Sequence, residues 1–288
     1  MAISVCIPCY ADDPAPLLGA LCAECWALGA EVEIEILVCD DGSPVPVSVE
    51  HEGVRLLRNE VNLGRVGTRR RLAEAAQHEY LLFVDVDSLP VRTDFLQAYL
   101  ALASIKTPVA AGGTAYLNTP PADKDQHLRW HYGRNREQRT AEERQSASYY
   151  GLALNNLLIN RDVFLGIALP NLGYGHEDTL LGYQLTTKGI AIAHVDNPVY
   201  HTGLESNIVF LNKALEGART LAGLPAHVLP TAFVRLSNTY YSLKGFTWML
   251  ALVQPLRPVL KRWVLNLLPG YLKAMDVLKL LEYHTKRQ

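Results

Sequence analysis

No cysteine occurs beyond Cys39, and the five present fall as Cys6-x-x-Cys9, Cys22-x-x-Cys25 and Cys39. Paired Cys-x-x-Cys spacings can hold zinc or a redox couple. Here, however, Cys6 and Cys39 sit in apolar runs that read as strands, while Cys22 and Cys25 share the apolar face of a helix with Leu18, Leu21 and Trp26. Packing as small hydrophobes accounts for them better than metal does. No stretch reaches the roughly 18 apolar residues of a spanning helix. The longest candidate, Phe246 to Val253, stops at Gln254, Pro255 and Arg257. No charged n-region and cleavage site opens the chain, so a cytoplasmic location is expected. Large charge excess is missing too. A net charge of −2 gives no global field to gather nucleic acid. Internal repeats and low-complexity tracts are absent. What is there is 288 residues at 49% hydrophobic content, enough for one large domain with an appendage.

The first half alternates two periodicities. Ile3 to Pro8, Glu33 to Cys39, Val54 to Arg58 and Tyr80 to Val84 read as strands; Pro16 to Leu28 and Gly67 to Gln77 read as helices. Such alternation predicts right-handed crossovers and a mainly parallel sheet flanked by helices, an α/β fold with Rossmann-like character. Ligands on such sheets bind beyond the carboxyl ends of the strands. Further on, 93–103 reads as a helix, and 109–116 as a strand containing Gly112-Gly113. Residues 118–148 are rich in charged and amide side chains and read as an exposed excursion with some helix. Gly173-Tyr174-Gly175-His176-Glu177-Asp178 opens a helix running to Lys188, and 190–195 reads as a short strand. From Glu205 onward the pattern is helical and leucine-rich.

Asp85-Val86-Asp87 ends the fourth strand. Residues i and i+2 of a strand point the same way, so both carboxylates can face one site. Clustered carboxylates repel unless a cation or proton lies between them, and hard oxygen ligands suit Mg²⁺ or Mn²⁺ shared with nucleotide phosphates. The competing reading is a strand-ending turn. Asn62-Leu63-Gly64-Arg65 precedes a helix, where backbone N–H groups and a guanidinium can meet a diphosphate. Arg69, Arg70 and Arg71 follow around that helix, so at most one or two can reach the site, and a solvated basic face is the alternative for the others.

Taken in order, Asp40-Asp41-Gly42-Ser43, Asn62-Leu63-Gly64-Arg65, Asp85-Val86-Asp87 and Glu177-Asp178 resemble the family 2 inverting glycosyltransferases, which have the GT-A fold. The opening Val5-Cys6-Ile7-Pro8-Cys9-Tyr10 is similar to that family's first strand. The resemblance covers about residues 3–203. It departs from the family's usual Ala-Arg-Asn run near Gly67 to Arg70. It implies a catalytic domain over 1–204, with a nucleotide-sugar half to about 117 and an acceptor half from 118, followed by a helical region over 205–288.

On the donor side, the resemblance implies that Pro8 and Tyr10 line a nucleotide pocket and that Asp40 or Asp41 accepts from the base, usually uracil. A carboxylate suits a pyrimidine ring N–H, although turn chemistry explains Asp41 equally well. Asn62, Gly64, Arg65, Arg69 and Asp85 would serve the donor. Asp87, Asp85 and His201 would hold Mn²⁺ or Mg²⁺, with the imidazole favouring manganese. On the acceptor side, Asp178 would be the general base and Glu177, Tyr174 and His176 would meet the acceptor. The competing reading of Glu177 and Asp178 is complementing a helix dipole. Asn155 and Asn156 would hydrogen-bond sugar hydroxyls, being donors and acceptors at once. The implied activity is transfer of a sugar from a nucleotide-diphosphate donor, a UDP-sugar by the uracil preference, to a saccharide or lipid-linked hydroxyl.

Two rivals remain. A sugar-nucleotide nucleotidyltransferase would need a glycine-rich basic loop after strand one, which Cys9-Tyr10-Ala11-Asp12-Asp13-Pro14 does not supply. A binding protein without turnover is the other. The aromatic, basic helical segment from Phe246 to Leu281 is compatible with peripheral membrane contact on the inner face, a packed subdomain or a dimer interface.

Overall fold

The computed structural model describes every residue except Met1, Ala30, Ser148, Tyr150 and Leu172, with Lys244 described through its backbone alone. In chain order the elements are β1 (Ala2–Cys9), α1 (Ala15–Leu28), β2 (Glu33–Asp40), β3 (Val54–Arg58), α2 (Gly64–Ala75), β4 (Tyr80–Val84), β5 (Ser88–Pro90), α3 (Phe95–Ser104), β6 (Val109–Ala111) and β7 (Thr114–Ala115). There follow α4 (His127–Tyr132), α5 (Ala141–Gln145), β8 (Asn156–Asn160), α6 (Arg161–Leu165), α7 (Glu177–Thr187), β9 (Ala193–His194) and β10 (Val199–His201). The remainder is helical: α8 (Asn207–Gly223), α9 (Arg235–Ser242), α10 (Trp248–Val253), α11 (Arg257–Leu265) and α12 (Tyr271–Arg287).

The chain divides into two compact units. The first comprises Met1–Leu117, Arg136–Asn171 and Gln184–Gly203; the second comprises Asn118–Asn135, Leu172–Tyr183 and Leu204–Gln288.

The first unit is built on a seven-stranded sheet in the order β3-β2-β1-β4-β8-β6-β9. β1, β2, β3 and β4 run parallel, and β8 runs antiparallel to both β4 and β6. The expected mainly parallel sheet is therefore present. All five residues of β4 are buried, as a run of apolar and aromatic side chains with no polar alternation requires. Ile3, Val5, Ile7, Leu82 and Val84 pack with Leu17, Leu18 and Leu21 of α1 and Phe95 and Tyr99 of α3. Strand order moves outward from β1 in both directions, through β2 on one side and β4 on the other. The carboxyl ends of β1 and β4 thus flank a topological switch point, where sheets of this kind leave a crevice. A smaller sheet, β5-β10-β7, lies in the same unit, with β10 antiparallel to β5 and parallel to β7.

Four local expectations need correction. The strand over 109–116 is two strands in different sheets, broken at Gly112-Gly113. A Cβ at Gly112 would collide with the Tyr99 hydroxyl, the Asn197 carbonyl and the Asn156 amide, so the chain turns where only glycine fits. The excursion over 118–148 is not simply exposed. It carries α4 and α5 and buries Leu128, Trp130 and Arg144, while Ser148 lies outside the described residues. Arg144 is buried because its guanidinium is consumed by the backbone carbonyls of Arg139, Gly112 and Val195 and by His194 Nδ1. Trp26 is 91% exposed rather than packed with Cys22 and Cys25. It lies one residue from Cys25, about 100° around the helix and off the buried face. The strand over 190–195 contracts to β9.

The second unit has its own core. Leu128 of α4 packs with Phe210, Leu211 and Leu215 of α8, Val264 of α11, and Met275 and Leu278 of α12. Glu282 accepts from Arg219 at 3.2 Å and pairs with Arg257, tying α8, α11 and α12 together. The Ser206 hydroxyl caps α8 by accepting from Val209 N–H. Among the described residues, no helix is long and apolar enough to cross a membrane.

Candidate active site

The rim beyond β1, β2 and β4 gathers most of the donor residues expected from sequence. Pro8 is in β1, and Tyr10 follows it with half of its surface exposed. Asp40 ends β2, paired in register with Cys9.

Asp40 and Asp41 are both buried, and both carboxylates are engaged by the chain itself. Asp40 Oδ1 accepts from Ser43 N–H at 2.9 Å; its Oδ2 accepts from Val47 N–H at 3.2 Å and lies 3.6 Å from Arg58 Nη1. Burial pushes this carboxyl up, but Ser43, Val47 and Arg58 together hold it below its ordinary value. Asp41 Oδ1 accepts from Asn59 Nδ2 at 2.6 Å and Leu63 N–H at 2.8 Å, and its Oδ2 accepts from Gly64 N–H at 3.0 Å. Asp41 thus clamps the loop that starts α2. Asn62 Oδ1 adds a second acceptor for Gly64 N–H at 3.0 Å, and the Asn171 amide donates to Leu63 O at 3.2 Å. Asn59 and Asn171 carry no signal among the sequence motifs. Asn59 directly follows a strand, a usual place for a local amide hydrogen bond, and that was the available signal.

Arg65 lies exposed in the first turn of α2. Arg69, one helical turn on, is buried and donates from Nη2 to Asp85 Oδ1 at 2.5 Å, while the exposed Arg70 pairs with Glu74. The structure therefore separates the basic run: Arg69 points to the carboxylate rim, and Arg70 forms the solvated face.

Asp85 N–H donates to Asn155 O at 3.3 Å, and the turn after β4 closes with Ser88 N–H on Asp85 O at 2.9 Å. β5 then pairs with β10, Ser88 opposite His201. That pairing brings His201 Nε2 to 3.7 Å from Asp87 Oδ2. Thr202 fixes the Asp87 backbone by donating both N–H and Oγ1 to Asp87 O at 2.8 Å. The Tyr116 ring stacks on the His201 ring, 5.8 Å between centroids. Gly203 borders this pair, where any Cβ would collide with the Asp87 carboxylate.

A carboxylate and an imidazole at this separation, on a rim cleared by a glycine, form a donor set that fits a divalent ion of the Mn²⁺ or Mg²⁺ class. Among the described residues no group of three metal-ligating side chains surrounds one point. Any ion there would take its remaining ligands from phosphate or water, a usual arrangement for nucleotide-bound magnesium.

The asparagine pair divides. The Asn155 side chain exchanges hydrogen bonds with Thr114 Oγ1 at 3.0–3.2 Å and is half-buried. Asn156 is buried, accepting from the Tyr99 hydroxyl at 2.5 Å and donating to Gly113 O at 2.9 Å and Asn197 O at 2.8 Å.

In the second unit, Glu177 and Asp178 occupy the first turn of α7, Glu177 buried and Asp178 half-buried. His176 immediately before them has φ +72°, and its Nε2 lies 3.1 Å from Gly217 O. Burial pushes the His176 ring down from its ordinary value, so it is held neutral, with Nε2–H as the donor. The Tyr174 ring sits 5.5 Å from Lys213 Nζ. Cys9 and Cys39 support the rim from the strands beneath it, Cys9 Sγ donating to Asp12 O at 3.3 Å and Cys39 Sγ to Asn59 Oδ1 at 3.7 Å. Cys6, Cys9 and Cys39 are buried free thiols, and burial pushes Cys9 up to about 12 and Cys39 to about 11.

The sheet and its strand order agree with the comparisons to known proteins. The chain belongs to glycosyl transferase family 2, whose model matches residues 4–164. Among solved structures, the Pyrobaculum calidifontis mannosyltransferase PcManGT, in complex with GDP-Man and Mn²⁺, has a TM-score of 0.57 at 14% identity. It is matched over 99% of this chain and 86% of that one. S. aureus TarS 1-349 has a TM-score of 0.52 at 18% identity, covering 100% of this chain and 90% of that one; a structure of it with UDP-GlcNAc gives 0.51. At these identities the likeness shows the fold, which is GT-A. No curated protein matches the chain.

Proposed function

We propose that the protein transfers a sugar, with inversion, from a UDP-sugar to a hydroxyl of a saccharide or lipid-linked acceptor. The observation that carries this reading is the meeting of Asp87 with His201 at the end of β4, on the same rim as Asp85 and Arg69. Family membership supports the reaction class, and relatives solved with UDP-GlcNAc and with GDP-Man and Mn²⁺ support a nucleotide-sugar donor.

In this reading Pro8 and Tyr10 bind the nucleoside. Asp41 serves indirectly, by shaping the Asn62–Arg65 loop whose backbone and Arg65 face the diphosphate. Asp87 and His201, with Asp85, would hold Mn²⁺ or Mg²⁺, which supplies charge neutralisation to the departing diphosphate. Asn155 contacts sugar hydroxyls, and Asn156 belongs to the fold. Asp178 takes the acceptor hydroxyl's proton as that oxygen bonds to the anomeric carbon. The bond from that carbon to the diphosphate oxygen breaks on the opposite face, and the nucleoside diphosphate leaves. Glu177, Tyr174 and His176 bind the acceptor or support its loop.

The nucleotidyltransferase alternative fares poorly at the same rim. It needs a glycine-rich basic loop after β1, and the loop there carries Asp12 and Asp13, which line a cavity of about 510 Å³ with residues 44–48.

The test is the thermal midpoint with UDP, GDP or TDP, each with and without Mn²⁺. A ligand at ~100 times its Kd adds about 2.7 kcal/mol to a two-state fold. The expected result is stabilisation by UDP only with Mn²⁺, lost in Asp87→Ala. No nucleotide effect under any metal condition sinks the donor site and favours a glycan-binding protein without turnover.

A further inference from the structure

From residue 217 to 275 the chain contains no aspartate or glutamate, while the same segment holds seven lysines and arginines in a protein of net charge −2. Within it, α10, a single 3-10 turn (Gln254–Leu256) and α11 follow one another without a break. Leu250 and Val264 are buried, and Leu260 and Leu265 pack against the core of the second unit. One face of this helical stretch is therefore fixed inward. The opposite face is apolar as well: Trp248, Leu252, Leu256, Val259 and Trp263 recur at three- and four-residue steps, each between 40 and 67% exposed. Phe246, Met249 and Leu268 extend the exposed surface at either end.

An outward stripe of this length is not the scatter of single apolar residues that any surface carries. Its composition narrows the occupant. Tryptophans at both ends of an aliphatic row suit the interface between headgroups and acyl chains, where an apolar ring with one polar edge is at home. Arg262 lies exposed on α11, next in sequence to Trp263, and Lys273 lies exposed in the first turn of α12. Arg219 and Arg257 are instead committed to Glu282. A segment that bears an exposed apolar face and carries basic but no acidic residues of its own is complementary to an anionic lipid surface, whereas a second copy of the same segment would oppose like charges.

We infer that the α10–α11 face is a membrane-docking surface that seats the protein on anionic lipid, with Trp248, Leu252, Leu256, Val259 and Trp263 entering the interface. Nothing in the segment spans the bilayer, so binding is peripheral and reversible. This inference does not depend on the nucleotide site, because lipid binding is read without donor or acceptor.

The experiment is flotation of the full chain with vesicles of phosphatidylcholine alone and of phosphatidylcholine mixed with phosphatidylglycerol, at low and high salt. The wild type is expected to partition about tenfold more strongly onto the anionic vesicles, weakening with salt. The triple variant Trp248→Ser/Leu252→Ser/Val259→Ser should lose partitioning on both, with circular dichroism and UDP response unchanged. Arg262→Gln/Lys273→Gln should lower only the anionic preference. Wild-type protein that stays with neither vesicle overturns the proposal, as does equal binding of wild type and triple variant. A stable dimer in sedimentation that the triple variant breaks, without vesicle binding, assigns the face to self-association instead.

Discussion

Arg69 Nη2 lies 2.5 Å from Asp85 Oδ1, and the two ends of this pair differ in exposure: the guanidinium side chain is 5% exposed and the carboxylate side chain 33%. The asymmetry decides which partner is costlier to remove. Without Arg69, Asp85 is left half-open to water, which can solvate it. Without Asp85, a buried guanidinium is stranded. Breaking a buried pair costs about 3–5 kcal/mol because of the charge left behind. Asp85→Ala should therefore lower stability by about 3 kcal/mol and Arg69→Met by roughly half of that. Urea midpoints of the two variants check this, and a larger loss in Arg69→Met contradicts it.

Gly203 faces the Asp87 carboxylate so closely that no Cβ fits. Its φ lies outside the left-handed region, so Gly203→Ala acts through the Asp87 side chain, whose Cβ and carboxylate the new methyl group would both crowd. The methyl group must displace Asp87 from His201. The expected outcome is at least a tenfold rise in the Mn²⁺ concentration needed for UDP stabilisation, about 1.4 kcal/mol, measured against the variant's own ligand-free midpoint. A Gly203→Ala protein with unaltered manganese response breaks the link between this contact and ion binding.

β1 and β4 were legible as buried apolar runs, where burial on both faces erases the polar alternation that would confuse the reading; β2 is buried only in its second half, and β3, at the sheet edge, carries exposed Arg55 and Arg58. Asp85 and Asp87 stood out in the sequence as carboxylates closing a buried strand, while His201 was reached only through the family resemblance. The pairing that joins Asp87 to His201 was not legible. β5 and β10 have three residues each, and such strands exist through their partners rather than through their own hydrophobic pattern. The burial of Arg144 was invisible for a related reason. A guanidinium enters a core only where carbonyls await it, and those of Arg139, Gly112 and Val195 come together only in the folded chain. The different duties of Asn155 and Asn156 follow the alternation of a strand edge. Which asparagine faced inward depended on the register of β8 with β4, Asn156 opposite Val84.

Asp41 accepts from Asn59 Nδ2, Leu63 N–H and Gly64 N–H, so it holds the entry to α2 by three charge-assisted hydrogen bonds. Asp41→Ala takes the acceptor from Leu63 N–H and leaves Gly64 N–H only Asn62 Oδ1 and Asn59 Nδ2 only the longer contact to Thr68 Oγ1, and the expected loss is about 1–3 kcal/mol. Asp41→Asn should recover part of it, because an amide oxygen still accepts while its NH₂ opposes one of the donors. Hydrogen exchange localises the effect: faster exchange at 62–66 with the amides of β1 unchanged is expected. A variant destabilised uniformly across β1 and α2 would show that Asp41 supports the whole sheet instead.

Glu35 gives a prediction that does not touch the site. Burial pushes its carboxyl up, but the Gln77 N–H at 2.9 Å, the Ser4 hydroxyl at 2.7 Å and the Arg55 guanidinium outweigh that and hold it below its ordinary value. Asp40 is held low in the same way by Ser43, Val47 and Arg58. For both groups the unfolded chain binds protons more readily than the folded one. Stability therefore rises with pH between the folded and the ordinary values. The contribution is fully present above about pH 5 and is lost as pH falls through the folded values. Glu35→Gln removes one such group. Its urea midpoint should lie below that of the wild type at neutral pH, and the gap should narrow steadily as pH approaches about 3. A gap that widens in acid would mean that Glu35 is held above, not below, its ordinary value, and that burial rather than Gln77, Ser4 and Arg55 governs it.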